Sequence, residues 1–169
     1  MEQSLVLQTL NGLKQRLSGE STLITQDTNG HVNECRFSFN SGVDDKEIEE
    51  FEQYTKWKLP DDLLAFLRLH NGGRFFEDEY GTFVHLLKLS EMMQYHTDYM
   101  PDHYYTIAIY MGCLLIVDSD AVRRGDKYYL YWFEAGEFYK LNDRFDILFN
   151  RWIVAQGEPY WTWSLFKFE

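Results

Sequence analysis

Two short helices joined at a proline and followed by two glycines are the feature that most constrains this chain. The segment VDDKEIEEFEQYTKWKLPDDLLAFLRLHNGG occupies residues 43–73. Asp44 and Glu47 have the spacing of a capping box, so a helix is predicted to begin there. Pro60 cannot continue that helix but suits the first turn of another, so a second helix is predicted to follow it directly.

Both predicted helices carry an apolar face. In the first helix, Ile48 and Phe51 recur at helical spacing. The second helix is predicted to direct its apolar residues toward a core, and these are Leu63, Leu64, Phe66 and Leu67. The Asn-Gly-Gly run at residues 71–73 tolerates a left-handed backbone, so we expect this run to cap the end of the second helix.

The order of these residues resembles the SUKH superfamily, a domain named partly after the fungal Smi-one and Knr-four cell-wall regulators. The matching residues are Ile48, Phe51, Glu52, Leu59, Pro60, Asp62, Phe66, Leu67, Asn71, Gly72 and Gly73. The resemblance covers roughly residues 43–153. It implies an α+β fold in which helices flank an antiparallel or mixed β-sheet. It also implies a bacterial immunity protein that binds and neutralises a cognate toxin, often a nuclease.

The length and the cysteines limit the class of protein to which the chain can belong. A chain of 169 residues predicts one domain over residues 1–169. No apolar run approaches the ~20 residues that span a bilayer, and residues 1–10 lack a basic region followed by an apolar block. Cys35 and Cys113 lie far apart without metal-ligand spacing, which favours free thiols over a disulfide. We therefore expect a protein of the reducing cytoplasm.

The charge points to a class of partner. The formal net charge is -11 at pH 7. Such a chain repels phosphate backbones and anionic lipids, so we expect no direct binding to nucleic acid or to a membrane. A basic protein would instead be attracted and steered toward it. The alternative is that the acidic residues serve solubility alone, as they do in many cytoplasmic proteins.

Hydrophobic periodicity predicts the elements outside the helix pair. An amphipathic helix is predicted over residues 4–17, followed by a polar, turn-like stretch over residues 20–30. Alternating or β-branched apolar residues predict strands around residues 35–39, 82–87, 105–110, 114–117, 127–133 and 138–141. The strand over residues 127–133 has aromatic residues on both faces, so it is either covered on both sides or presents one exposed aromatic face.

Two further helices and a last strand complete the prediction. Ser90 is expected to cap a short helix, and Asn142 or Asp143 a longer one. The longer helix carries its apolar stripe on Phe145, Leu148, Phe149, Trp152 and Ile153. Residues 160–168 alternate enough to form a final strand, which could dock on the fold or add to a partner's sheet.

Catalytic motifs are missing from the sequence. It contains no GxSxG elbow, no phosphate-binding GxxxxGK[ST] loop and no HExxH helix. We therefore predict no enzyme activity, no cofactor and no metal site. A minor alternative is a metal-assisted hydrolase that uses His96, Asp98, Asp102 or His103. Pro101 interrupts the helical register that would bring these side chains together, so a solvated loop is the favoured interpretation.

Clustered acidic residues are the remaining signal, and they predict a surface that faces a protein partner. Acidic residues in a first helical turn also stabilise the helix dipole, which explains part of the pattern. The predicted partner-binding residues are Glu49, Glu50, Glu77, Asp78, Glu79, Asp118 and Asp120. The predicted partner is a basic toxin, bound by a monomer or weak homodimer. The alternative function is a regulatory scaffold that coordinates cell-wall synthesis through protein contacts.

Overall fold

The computed structural model describes residues 4–17 and 19–163 of the chain. The helices are α1 (Leu5–Arg16), α2 (Asp45–Thr55), α3 (Asp61–Leu67), α4 (Leu89–Met92), α5 (Ser119–Arg124) and α6 (Phe145–Val154), with 3₁₀ turns at Met93–Tyr95 and Tyr160–Thr162. The strands are β1 (Thr22–Gln26), β2 (Val32–Phe39), β3 (Gly73–Glu77), β4 (Val84–Leu86), β5 (Tyr104–Tyr110), β6 (Cys113–Asp118), β7 (Leu130–Glu134) and β8 (Glu137–Leu141).

The strands form one sheet with simple connectivity. Each strand pairs with its neighbours in sequence, in the order β1 to β8. Every pairing is antiparallel. The predicted α+β fold is confirmed, and of the two predicted kinds of sheet the antiparallel one is found. None of the helices in the described ranges has the length and apolar character needed to cross a bilayer.

Helices α1, α3 and α6 pack together on one face of the sheet, which we call the core face. Phe66 of α3 and Phe149 of α6 lie against Phe75 of β3, with ring centroids 6.3 and 6.0 Å from it. Helix α1 joins this layer through a hydrogen bond from Asn150 Nδ2 to Thr9 Oγ1, 2.9 Å long. We call the opposite face of the sheet the outer face, and it carries the candidate site.

The start of the helix pair is confirmed in detail. The Asp44 carboxylate accepts the Glu47 N–H at 2.8 Å, and the Glu47 carboxylate accepts the Asp44 N–H at 3.1 Å. Helix α2 ends at Thr55, and the C-cap residue Lys56 has a left-handed φ of 62°. Pro60 directly precedes α3, as the sequence predicts.

The predicted cap at residues 71–73 is only partly correct. Helix α3 ends at Leu67, and only Gly72 of the three residues is left-handed, with φ of 72°. Gly73 instead begins strand β3, where it pairs with Phe39. Asn71 has a different role, because its side-chain oxygen accepts the Leu89 N–H at 2.9 Å and so fixes the start of α4.

The predicted caps of α6 are wrong, because residues distant in sequence cap this helix. Its N-cap position is Arg144 rather than Asn142 or Asp143, and the Arg144 side chain makes no capping hydrogen bond. Two other side chains accept the first backbone donors of the helix. Tyr129 Oη accepts the Phe145 N–H at 3.0 Å, and the Asp62 carboxylate accepts the Asp146 N–H at 3.0 Å.

Asp62 and Tyr129 also bind each other. The Tyr129 hydroxyl donates to the Asp62 carboxylate, with both oxygens 2.5 Å away. Burial raises the pKa of the Asp62 carboxyl, against the opposing effect of the hydrogen bonds from Tyr129 and the Asp146 amide. Asp62, a residue of the SUKH-like motif, therefore links α3, the residue that precedes β7, and α6.

The raised pKa of Asp62 predicts a specific pH dependence of stability. A carboxyl whose pKa is higher in the folded state binds its proton more tightly there. Its contribution to the free energy of unfolding is therefore fully present below the unfolded pKa of about 3.9. That contribution is lost as the pH rises through the folded pKa. The free energy of unfolding of the wild type, measured relative to Asp62→Asn, should therefore fall as the pH is raised from about 4. Urea titrations at several pH values measure this difference, and a difference that rises with pH would contradict the burial argument.

Three other predictions need correction. Residues 20–30 are not only turns, because residues 22–26 form strand β1 at the edge of the sheet. Ser90 lies inside α4, whose N-cap is Lys88; the Lys88 N–H donates to the Glu91 carboxylate at 2.8 Å. In the predicted final strand, Tyr160–Thr162 forms a 3₁₀ turn, and residues 164–168 lie outside the described residues.

Candidate protein-binding surface

The outer face of β1, β2 and β3 carries a cleft lined mainly by acidic side chains. Its volume is about 550 Å³, and its lining residues are Glu20, Thr22, Val32, Asn33, Glu34, Arg36, Glu77, Asp78, Glu79 and Gly81. Five carboxylates therefore meet one guanidinium in this acidic cleft. Three of the five, Glu77, Asp78 and Glu79, were predicted from the sequence as partner-facing.

The acidic tip, residues 77–79 at the turn from β3 to β4, is held in place by local hydrogen bonds. The Asp78 carboxylate accepts the N–H groups of Tyr80 and Thr82, each at 2.9 Å. The Asp78 N–H also donates to the carbonyl oxygen of Thr82 at 3.0 Å. Asp78 therefore shapes the turn, while the neighbouring Glu79 remains exposed at the rim of the acidic cleft.

The carboxylates of the acidic cleft are weakly neutralised. Among the described residues, only Glu77 of the five has an ion-pair partner, Arg74, at 3.3 Å. Glu34 accepts a hydrogen bond from the Thr22 hydroxyl at 2.9 Å, which orients the carboxylate without cancelling its charge. A concave surface lined by one sign of charge concentrates the field and attracts ligands of the opposite sign.

Exposed apolar side chains adjoin the acidic cleft. Ile24 and Val32 are 63% and 67% exposed, and Tyr80 at the tip of the β3–β4 turn is 81% exposed. Ile24 and Val32 point to the same outer face as Glu34, since Ile24 pairs with Glu34 and Val32 lies two residues from it. Apolar groups beside carboxylates match lysine and arginine side chains, which combine an aliphatic stem with a cationic head.

The other predicted acidic residues lie elsewhere. Glu49 and Glu50 are exposed on α2, where Glu50 is paired with Lys46 at 3.6 Å. Asp120 is paired with Arg123 at 2.6 Å in α5. These carboxylates do not line the acidic cleft.

Asp118 does not belong to an exposed surface, which corrects its assignment as a partner-facing residue. It is 7% exposed, and its carboxylate accepts the Ala121 N–H at 2.9 Å as the cap of α5. The strand register also separates it from the acidic tip, because Asp118 pairs with Tyr104 at the start of β5. The acidic tip extends past the other end of that strand, at least six residues or roughly 20 Å away.

The four residues of the hydrolase alternative do not form one site: the Asp98 and Asp102 side chains are exposed, while the His96 ring and the Asp102 backbone contact Trp57. The His96 ring lies 5.6 Å from the Trp57 ring, and the Asp102 carbonyl oxygen accepts the Trp57 indole N–H at 2.7 Å. His103 lies 3.9 Å from Asp118. Within residues 4–17 and 19–163, no three His, Cys, Asp or Glu side chains are grouped so that they could hold a metal ion.

Comparison with known proteins identifies the family of this chain. A model of the SMI1/KNR4 family (SUKH-1) matches residues 42–151. The chain belongs to the SMI1/KNR4 family. The match agrees with the range of the resemblance seen in the sequence, and it includes the acidic tip but not Glu20 or Glu34.

Two relatives from Bacillus subtilis (strain 168) share much of the chain. Both are described as uncharacterized proteins. YobM is 32% identical over an alignment of 178 residues, gaps included, which covers 97% of this chain and 95% of YobM. YnaB is 24% identical over 134 residues, which cover 77% of this chain and 90% of YnaB.

The residues that carry the SMI1/KNR4 motif build the scaffold rather than the acidic cleft. Asp62 caps α6, Asn71 fixes α4, and Gly72 makes a turn that closely approaches Leu86. The cleft residues Glu20 and Glu34 were not among those predicted from the sequence. For Glu34 a signal was present, because the alternation that buries Cys35 and Phe37 directs Glu34 to the outer face.

Proposed function

We propose that this SMI1/KNR4-family protein is an immunity protein that binds a cognate bacterial toxin and neutralises it by protein–protein contact. The observation that carries the proposal is the acidic cleft on the outer face of β1–β3. The proposed toxin is a nuclease, and the proposed place of action is the cytoplasm of the cell that produces it.

Charge complementarity is the physical reason for this proposal. A nuclease must present cationic groups to hold a polyanionic substrate. The acidic cleft and the net charge of -11 attract such a surface and speed its association. A bound acidic domain occupies the surface that the nucleic acid needs, or a neighbouring one. Either mode requires no catalytic group on the inhibitor.

Charge reversal in the acidic cleft tests the proposal. The partners for the test are the basic domains of any candidate toxins encoded beside this chain, and the measurements are cell survival on co-expression and affinity by calorimetry. Glu34→Lys with Glu79→Lys should weaken binding by at least about tenfold, because each new cation repels the basic partner and removes an attractive carboxylate. The matched control is Glu49→Lys with Glu50→Lys, which makes the same change in net charge on α2.

Three outcomes are informative. Equal loss of affinity in both double variants would show that net charge matters and the cleft does not. Loss in the α2 variant alone would move the partner surface to α2. A wild-type chain that neither binds nor neutralises any toxin encoded beside it, but binds several other proteins, would favour the regulatory scaffold instead.

A further inference from the structure

Strand β1 ends the sheet, and the hydrogen bonds at its two ends determine which of its backbone groups face outward. The Asp27 N–H donates to the His31 carbonyl, and the Phe37 N–H donates to the Ser21 carbonyl. In the β1–β2 register these are hydrogen-bonded pairs, so the alternate residues, Thr22, Ile24 and Gln26, point their N–H and C=O groups away from β2. We call these outward groups the β1 edge.

The middle of the β1 edge is open. The Gln26 N–H is taken by the Gln156 side-chain oxygen at 2.8 Å. No described residue hydrogen-bonds the outward N–H or C=O of Ile24, two residues earlier. The Ile24 side chain is also among the most exposed apolar side chains in residues 4–17 and 19–163. An open edge with an exposed apolar residue is a template for another strand.

We infer that the β1 edge accepts an extended basic segment of the partner, which adds to the sheet as a further strand. This inference rests on the proposed function, because it states how the same partner binds. Side chains of the added strand alternate between the two faces, so those beside Ile24 point to the outer face. There a basic side chain can lay its stem on Ile24 and Val32 and its charge toward Glu34 in the acidic cleft.

Charge disfavours a second copy of this chain as the occupant. Two copies joined through the β1 edge would be related by a two-fold axis perpendicular to the sheet, so both outer faces would lie on the same side. Both acidic clefts would then lie on one side of the joined sheet, with the two copies of β1 between the Glu34 carboxylates. Each copy carries a net charge of -11, so two copies repel each other, whereas a basic segment is attracted.

A short peptide tests the edge without the toxin. The probe is acetyl-Arg-Val-Arg-Val-Arg-amide, titrated into the ¹⁵N-labelled full chain and followed by NMR. At saturation we expect the Ile24 amide to exchange at least about tenfold more slowly, because it becomes hydrogen-bonded. The control peptide, with glutamate in place of each arginine, should produce no such slowing.

Proline at position 24 removes the edge donor while sparing the β1–β2 ladder, since the Ile24 N–H points away from β2. Ile24→Pro should weaken peptide binding by about tenfold relative to Ile24→Val, which keeps the N–H. Thermal unfolding of both variants checks that the sheet is intact. If Ile24→Pro fails to fold, the exchange rate of the Ile24 amide in the wild type, with and without the arginine peptide, still tests whether the β1 edge is bound.

The outcomes separate this inference from the proposed function. Unchanged exchange at Ile24, equal binding of the glutamate peptide, or a dimer by sedimentation would each overturn the basic-strand inference. A toxin neutralised equally by Ile24→Pro and Ile24→Val would overturn it as well, while leaving the immunity function in place. Slowed exchange that depends on arginine, together with weaker neutralisation by Ile24→Pro, is the result that supports it.

Discussion

Replacing Gly72 by alanine is expected to lower the free energy of unfolding by about 2–5 kcal/mol, a large effect for the addition of one methyl group. Two costs combine at this position. Gly72 has a φ of 72°, which disfavours any residue with a Cβ. An added Cβ would also overlap the backbone carbonyl groups of Leu86 and Leu87, which cannot move without disturbing β4.

Gly112 is the matched control for this substitution. Its φ of 81° is similar, but a Cβ there would meet no atom within 4 Å. Gly112→Ala should therefore lose only the backbone term, about 1–2 kcal/mol. Urea unfolding of both variants measures the difference. Equal losses for Gly72→Ala and Gly112→Ala would show that the close approach to β4 does not matter.

Removing the Asp62 carboxylate is expected to cost about 2–4 kcal/mol, because two buried donors lose their acceptor. Asp62→Ala leaves the Tyr129 hydroxyl and the Asp146 N–H without the carboxylate that they bind. The start of α6 should loosen first, since Asp62 caps it. Hydrogen exchange of the Asp146 amide, measured beside the free energy of unfolding, reports this local effect.

The neighbouring residue Asp61 provides the control. It is an exposed carboxylate in the first turn of the same helix. Asp61→Ala should therefore cost at most about 1 kcal/mol through the helix dipole. Tyr129→Phe removes the other half of the network and should accelerate exchange at Phe145, whose amide it binds. If Asp62→Ala and Asp61→Ala are equally stable, Asp62 has no structural role in this fold.

The sequence predicts best where the determinants are local. The capping box of Asp44 and Glu47 lies within four residues, so the start of α2 could be predicted and is found as predicted. The burial of Leu130 and Trp132 and the partial exposure of Tyr131 and Phe133 likewise follow the alternation of β7. The aromatic residues on its second face are partly exposed. Of the two predicted arrangements, this is closer to one exposed aromatic face than to cover on both sides.

Prediction fails where the determinant comes from elsewhere in the chain. The cap of α6 is made by Asp62, which lies 84 residues before Asp146, so no local pattern identifies it. The polar composition of residues 20–30 predicts turns, although residues 22–26 form strand β1. Its pairing with β2, rather than its own propensity, makes it a strand.

The candidate site was predicted in part for the same reason. Residues 77–79 are adjacent in sequence, so their shared position could be foreseen. Glu20 and Glu34 join them only because β1 and β2 bring these residues beside β3. Asp118 was misassigned, because an aspartate that caps a helix and one that faces a partner look alike in sequence.

The neighbour-to-neighbour order of the sheet has a consequence for synthesis on the ribosome. Each strand can pair with the preceding one soon after it emerges, because no pairing waits for a distant part of the chain. The helices differ from the strands, since both α1 and α3 pack on α6 and Thr9 binds Asn150. Helices α1 and α3 are made well before α6, so a nascent chain that still lacks α6 holds a growing sheet whose apolar face is incompletely covered.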